Sequence, residues 1–229
     1  LSKLNTLTPE SLSALDTVLS YVDDVSFGRA PKIASFDIEE RNKIVLIDGA
    51  TRRNLELLTT TIDGERRHAL VHQLDYTITA MGARLLREWI LSPSCDRDVI
   101  VSRHETVGAF VKNSDELENI RKYFVSIRDL DRLTSRVSSG RCIPRDLGNL
   151  RDSLAVLPEV KRSIEKIGSP LAGELLLSLD LLEDVHQKLV DTLVDEPPTK
   201  SNESGIIRSG YHEEVDRLRN IRINGKQFL

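Results

Sequence analysis

The fold class predicted by the sequence is mainly α, a multihelical domain with one small β element near the N-terminal third. Three observations predict it. From residue 66 to 193, apolar residues recur at the spacing of a helix face almost without interruption. Prolines, and Ser, Thr or Asp residues just ahead of apolar-periodic runs, punctuate that stretch as helix starts. The β-favouring runs "KIVLI" and "LELLTTTI" are confined to residues 26–63. The chain has 229 residues, 39% of them hydrophobic and 30% charged, enough for one large domain or two small ones. With five Phe, four Tyr and one Trp, its interior has to be built from Leu, Ile and Val.

The first helix carries Leu12, Leu15, Leu19 and Val22 after "TPES", with Thr8 as its cap and Pro9 in its first turn, and is expected to end near Asp24. The β element follows, broken by "DGATRRN" and closed by the turn signal "DGE". In "LDYTITAMGARLLREWILSP", Leu74, Ile78, Met81, Leu85 and Trp89 mark one face. The run Thr77-Ile78-Thr79 is a poor helix former, so the helix restarts at Ala80 with Thr79 as cap, and Pro93 stops it. The small residues Ala80, Gly82 and Ala83 leave room for another backbone. Asp96 caps a helix whose face is Ile100, His104, Val107 and Val111. Ser114 caps another, through Leu117, Ile120, Phe124 and Ile127 and on past Leu130 and Leu133 to Val137, where Gly140 ends it. Pro144 starts a helix with Leu147, Leu150, Leu154 and Leu157. Pro158 and Pro170 punctuate two more, the second running through Leu177, Leu181, Val185, Leu189 and Leu193. "DEPPTKSNESG" is a polar loop, "IIRSGY" a short strand, and a helix begins at His212.

Composition argues against several function classes, without ruling out a local basic patch. A net charge of -4 and a pI near 5.8 lack the basic footprint of a module that binds nucleic acid by itself. Cys95 and Cys142, the two cysteines, have no metal-ligand spacing and suit a reducing compartment. No apolar run reaches the length of a membrane span, and no signal-peptide pattern opens the chain. The start without Met and the last helix running to the end are expected of a fragment of something larger.

The search for chemistry ends negative. Glu65, His68 and His72 offer one Glu-x-x-His unit, where a di-iron bundle needs two and zinc needs a further ligand. Asp23-Asp24, Asp129 with Asp131, and Glu183-Asp184 are acidic pairs that read as solvated helix surface, because acid–base work requires one carboxyl in a closed apolar pocket. Arg52, Arg53, Arg141 and Arg145 lie beside glycines in "DGATRRN" and "SGRCIPRDL", but neither stretch is a nucleotide-binding loop. No Ser or Cys stands in a nucleophile signature. Catalytic, cofactor-binding and metal residues are therefore expected to be none.

Five segments nevertheless form a pattern in order: "IDGATRRNLEL" (47–57), "LDYTITAMGARLLREWILSP" (74–93), "RDLDRLTSRV" (128–137), "PRDLGNLRDSLAVLP" (144–158) and "GIIRSGYHEEVDRLR" (205–219). Together they resemble the central core, or lever, region of the MutS family of DNA mismatch-recognition ATPases. The matching positions are Asp48, Thr51, Arg52, Asn54 and Glu56; Asp75, Thr77, Thr79, Gly82, Arg84, Trp89 and Pro93; Arg132 and Arg136; Pro144, Arg145 and Asp146; and Gly210, Tyr211, Asp216 and Arg219. Arg53 leans toward the bacterial branch, while Gly49, Ser94 and Val215 depart from the usual residues.

The resemblance implies a helix leaving a connector domain over residues 1–25 and a helical core/lever domain over 26–229, truncated before the clamp. It implies a part that couples mismatch and DNA binding to an ATPase domain without catalysis of its own. ATP and Mg would belong to the full-length parent, as would DNA contacts made through its other domains. A homodimer, a MutL-type partner and a cytoplasmic location are expected of that parent. Two other readings stay open: a helical scaffold or adaptor binding a protein partner, and a metalloenzyme using His68 and His72.

Overall fold

The structure, a computed structural model, describes residues 7–26, 43–200, 202 and 205–225. The chain separates into two units, residues 1–43 and 44–229. In the first, helix α1 (Pro9–Val25) begins as expected, with the Thr8 side chain accepting from the Ser11 amide and Pro9 in the first turn. No residue of α1 is buried. The part of the expected β region before Lys43 lies outside the described residues.

The second unit holds α2 (Gly49–Asn54), α3 (Leu70–Leu74), α4 (Ala80–Leu91), α5 (Arg97–Lys112), α6 (Ser114–Ser126), α7 (Leu130–Ser138), α8 (Pro144–Ala155), α9 (Leu157–Ile167), α10 (Pro170–Ser178), α11 (Glu183–Thr192) and α12 (Glu213–Gly225). The mainly α class is as expected; among the described residues the small β element is not formed. Among the described residues, extended pairing is limited to two isolated antiparallel bridges, Ile44 with Ser94 and Leu193 with Ile207. "KIVLI" provides one side of the first, where the Val45 amide donates to the Pro93 carbonyl at 2.8 Å. "IIRSGY" likewise supplies a single bridge.

"LELLTTTI" is a turn, for a local reason. Glu56 sits at φ 48° and its carboxylate accepts from the Thr61 amide at 2.6 Å and the Thr61 hydroxyl at 2.7 Å. The Thr60 amide donates to the Glu65 carbonyl and the Gly64 amide to the Thr60 carbonyl. Side-chain acceptors that satisfy nearby amides compete with a ladder, and here they win over β propensity.

Two helices expected to be continuous are broken. The first break lies at 127–129, between α6 and α7: Ile127 is extended, the Arg128 amide donates to the Ser153 hydroxyl at 2.9 Å, and Asp129 caps α7 through the Arg132 amide. The second lies at 179–182, between α10 and α11, where Asp180 accepts from the Leu182 amide at 2.9 Å and Leu182 adopts φ 50°. Each break carries an Asp whose side chain captures a following amide, the ordinary chemistry of a helix restart. Ser114, expected as a cap, is instead the first residue of α6. Asn113 precedes it and its side-chain amide donates to the Ala109 carbonyl of α5.

Within this unit the helices form two packets. In the first, α6 lies on α9, α9 on α10, α10 on α5 and α5 on α6, with α3 and α4 alongside. Ile120, Val160, Ile167 and Ala172 are buried there. In the second, α7 and α11 pack on α8, burying Leu133, Leu154 and Leu193. The chain passes between them at 127–129, at Val156 between α8 and α9, and at 179–182.

The faces turned inward differ from those expected on α4 and α5. Leu74 and Ile78, ahead of α4, line the inside of the first packet as expected, but on α4 itself Gly82 and Leu86 join them there while Leu85 and Trp89 are exposed. On α5, Val107 is 61% and Val111 72% exposed, while Thr106 and Phe110 point inward. The helical period is right and the phase is off by about one residue.

Candidate functional site

The positions picked out by the five segments fall at the joints of the fold. At the start of α2, the Asp48 carboxylate accepts from the Ala50 amide at 2.8 Å, the Thr51 amide at 3.0 Å and the Thr51 hydroxyl at 2.6 Å. These bonds, led by the Thr51 hydroxyl, hold its carboxyl below the usual carboxylate range. Arg52 donates from Nε to the Ile47 carbonyl at 2.8 Å and from Nη2 to Leu91 at the end of α4, at 3.5 Å.

Before α4, Asp75 accepts from the Thr77 hydroxyl and amide and pairs with Arg66; these bonds, the Thr77 hydroxyl first, keep its carboxyl low. Thr79 caps α4 by accepting from the Gly82 amide at 3.1 Å. A Cβ at Gly82 would lie 3.1 Å from the Thr79 hydroxyl and 3.6 Å from the Thr77 Cβ. The room left by Gly82 is therefore filled by its own preceding turn, not by another helix.

One turn further, Arg84 forms a fork onto α7. Nη1 and Nη2 donate to the two Asp129 oxygens, each at 2.7 Å, and Nη2 also reaches Asp131 at 2.7 Å. Trp89, the one tryptophan, lies under the Arg103 guanidinium, 3.7 Å from ring centroid to Cζ. At the α7–α8 corner, buried Asp146 accepts from Arg136 at 2.8 Å and from the Ile143 amide at 3.1 Å. Before α12, the Gly210 amide donates to Asp216 at 2.6 Å, and Arg219 donates to the Ile207 carbonyl and the Ser209 hydroxyl. Asn54, Arg145 and Tyr211 are exposed, although the Arg145 amide donates to the Pro198 carbonyl at 3.1 Å.

Sequence reasoning missed the residues that matter most to α8. Arg151 is 9% exposed and donates to the Val194 carbonyl at 2.8 Å and the Asp195 carbonyl at 2.6 Å. Gly148 faces Pro197, whose Cδ and Cγ would be 3.0 Å from an added Cβ. A glycine inside a helical pattern is itself a signal of close packing, and that signal was available in "PRDLGNLRD".

The arrangement offers little chemistry. His68 sits at φ 74° outside α3, while His72 is within it, so the two do not share a helix face. Among the described residues, no group of three or more His, Cys, Asp or Glu is placed to hold a metal ion. Asp129 and Asp131 share one arginine, and Asp129 is held below the usual range by it, the opposite of a general acid. Glu183 and Asp184 fall in the first turn of α11, and Asp23 and Asp24 near the end of α1. Burial pushes the Cys142 thiol up, away from thiolate reactivity. An apolar cavity of about 500 Å³ opens inside the first packet between Leu86, Phe110, Ile120 and Leu175. Arg121 at its wall donates to the Tyr76 carbonyl at 3.0 Å. No described helix is long and apolar enough to cross a membrane.

A multihelical framework whose shared polar residues cap helices and tie one element to another defines a structural core. The comparisons agree with that class. Residues 50–224 match the family model described as MutS domain III, and the chain belongs to that family. It is similar to the DNA mismatch repair protein MutS of Symbiobacterium thermophilum, 36% identical over 217 residues covering 95% of this chain and 25% of that protein. It is also similar to the DNA mismatch repair protein MutS of Halothermothrix orenii, 34% identical over 221 residues, 96% of this chain and 25% of the relative. The chain thus spans about a quarter of the length of the curated relatives it matches. It corresponds to the core region of a mismatch-repair protein.

Proposed function

We propose that this core is a non-catalytic coupling element, carrying changes at a DNA-reading end of the parent protein to an ATPase end. The observation that carries this reading is the placement of the shared residues. Arg84 (through Asp129), Arg136, Asp146, Asp216 and Arg219 tie elements together and do not converge on a cleft. Coupling of this kind is a free energy of about 1–3 kcal/mol between sites and requires a packed element with two arrangements. In the same reading, residues 1–25 leave a connector domain and 26–229 form the lever, with no catalytic, cofactor or metal residue of their own. ATP, Mg and direct DNA contacts belong to other parts of a cytoplasmic parent, which acts as a homodimer with a MutL-type partner.

The test is made in the full-length parent with Arg84→Gln. Mismatch-stimulated nucleotide exchange is expected to fall at least fivefold, the lower end of that coupling range, with mismatch affinity and basal hydrolysis retained. Unchanged stimulation would remove the coupling role. The 229-residue chain alone is expected neither to hydrolyse ATP nor to bind DNA tightly; tight, salt-sensitive binding would contradict the division of labour.

A further inference from the structure

We infer that the two packets are hinged bodies, joined by a waist of three chain crossings and latched across it by Arg84. None of the crossings is a continuous helix. At 127–129 the backbone leaves helical geometry, with Ile127 at ψ 117° and Asp129 at ψ 89°. At 179–182 Leu179 is extended and Leu182 takes a left-handed conformation that side chains with a Cβ rarely adopt. At Val156 α8 gives way directly to α9, and Pro158 has no N–H with which to carry the helical ladder through. Prolines at such positions are where long helices bend.

Each packet has its own interior, so rotation about the waist opens neither. Ile120, Val160, Ile167 and Ala172 are buried on one side, and Leu133, Leu154 and Leu193 on the other. Away from the crossing where α8 meets α9, the tie across is polar. Arg84, on α4 of the first packet, grips Asp129 and Asp131 at the start of α7 through three bonds of 2.7 Å. Its side chain is 45% exposed, so water and salt can replace these bonds without disturbing an apolar contact. Such a connection can open and close while the packets stay folded. This property belongs to the chain by itself and stands whether or not it relays a signal in the parent.

The test uses pairs of spin labels on the 229-residue chain with Cys95→Ser and Cys142→Ser. Labels at Val111→Cys on α5 and Lys188→Cys on α11 span the waist; labels at Val111→Cys and Glu165→Cys on α9 stay within one packet. The spanning distance distribution is expected to be at least twice as wide as the control. Arg84→Gln should widen it further, as should raising NaCl from about 0.05 to 1 M on the chain with Arg84 intact. Pro158→Ala, which restores an N–H at the crossing, should narrow it. Equal widths, a spanning width indifferent to both Arg84→Gln and salt, or a control that widens in step would overturn the hinge. The salt series keeps the test decisive if Arg84→Gln fails to fold.

Discussion

Helices α4 and α8 are each 12 residues long and each lies in a family segment, yet they are held in opposite ways. α4 is the more apolar of the two and has no buried residue. α8 is polar on average and buries Pro144, Asp146, Gly148, Arg151, Ser153 and Leu154. The difference lies in what each helix meets. α8 faces the main chain at 194–198, whose carbonyls need donors and whose Pro197 needs space, and Arg151 and Gly148 supply those. α4 meets side chains on one face only and is fixed at its ends, by Thr79, by Arg84 and by Arg52 reaching Leu91. An apolar stripe shows that a helix has a face to cover. It does not say that the cover is within the same chain.

The sharpest way to break this contrast is a matched pair of leucines. Leu154→Ala on α8 should cost roughly 2–5 kcal/mol, as truncations of buried leucine do, while Leu85→Ala on α4 should stay within about 0.5 kcal/mol. Urea denaturation followed by circular dichroism measures both. Equal losses would mean that α4 is as deeply packed as α8.

Next in size is Gly148→Ala. An added methyl 3.0 Å from two atoms of a stiff proline ring forces α8 and the 193–198 segment apart, at about 1–3 kcal/mol. Gly82→Ala should cost less, because its nearest neighbour, at 3.1 Å, is the single Thr79 hydroxyl, whose displacement forfeits at most the α4 cap, about 0.5–2 kcal/mol. If the two variants reverse in order, the close approach has been placed on the wrong helix.

The smallest effect is on the acid side. Asp129 is held below its ordinary value first by the Arg84 fork and also by the Arg132 amide. Its contribution is therefore complete above the ordinary carboxylate range and is lost as pH falls through that range toward the lower folded-state value. Arg84 is substantially exposed, so water and salt screen the pair and the share at stake is small. Between pH 7 and pH 3 the urea midpoint should fall, and it should fall less in Arg84→Gln. An identical drop in both proteins would mean that the fork adds nothing to stability.

What could be read from the sequence was what is local. Thr8, Thr79 and Asp96 cap the helices assigned to them, and Pro144, Pro158 and Pro170 stand in first turns, because a cap needs only the next three amides. The breaks at 127–129 and 179–182 were missed although Asp129 and Asp180 were in plain view; a sustained apolar period outweighed a single capping residue. The strands failed because β propensity needs a partner, and "LELLTTTI" found its own side chains first. Among site residues, the signature positions were legible only through resemblance. Their roles depend on carbonyls and carboxylates distant in sequence, such as Asp129 for Arg84 and Ile207 for Arg219.

The stacking of Trp89 beneath Arg103 has a practical consequence. This indole is the chain's sole strong fluorophore, and it sits at the seam of α4 and α5. Its emission therefore reports the melting of that seam and is blind to the helices around Arg151. An unfolding curve traced by fluorescence will overlay one traced by ellipticity only if both halves of the molecule come apart in a single cooperative step.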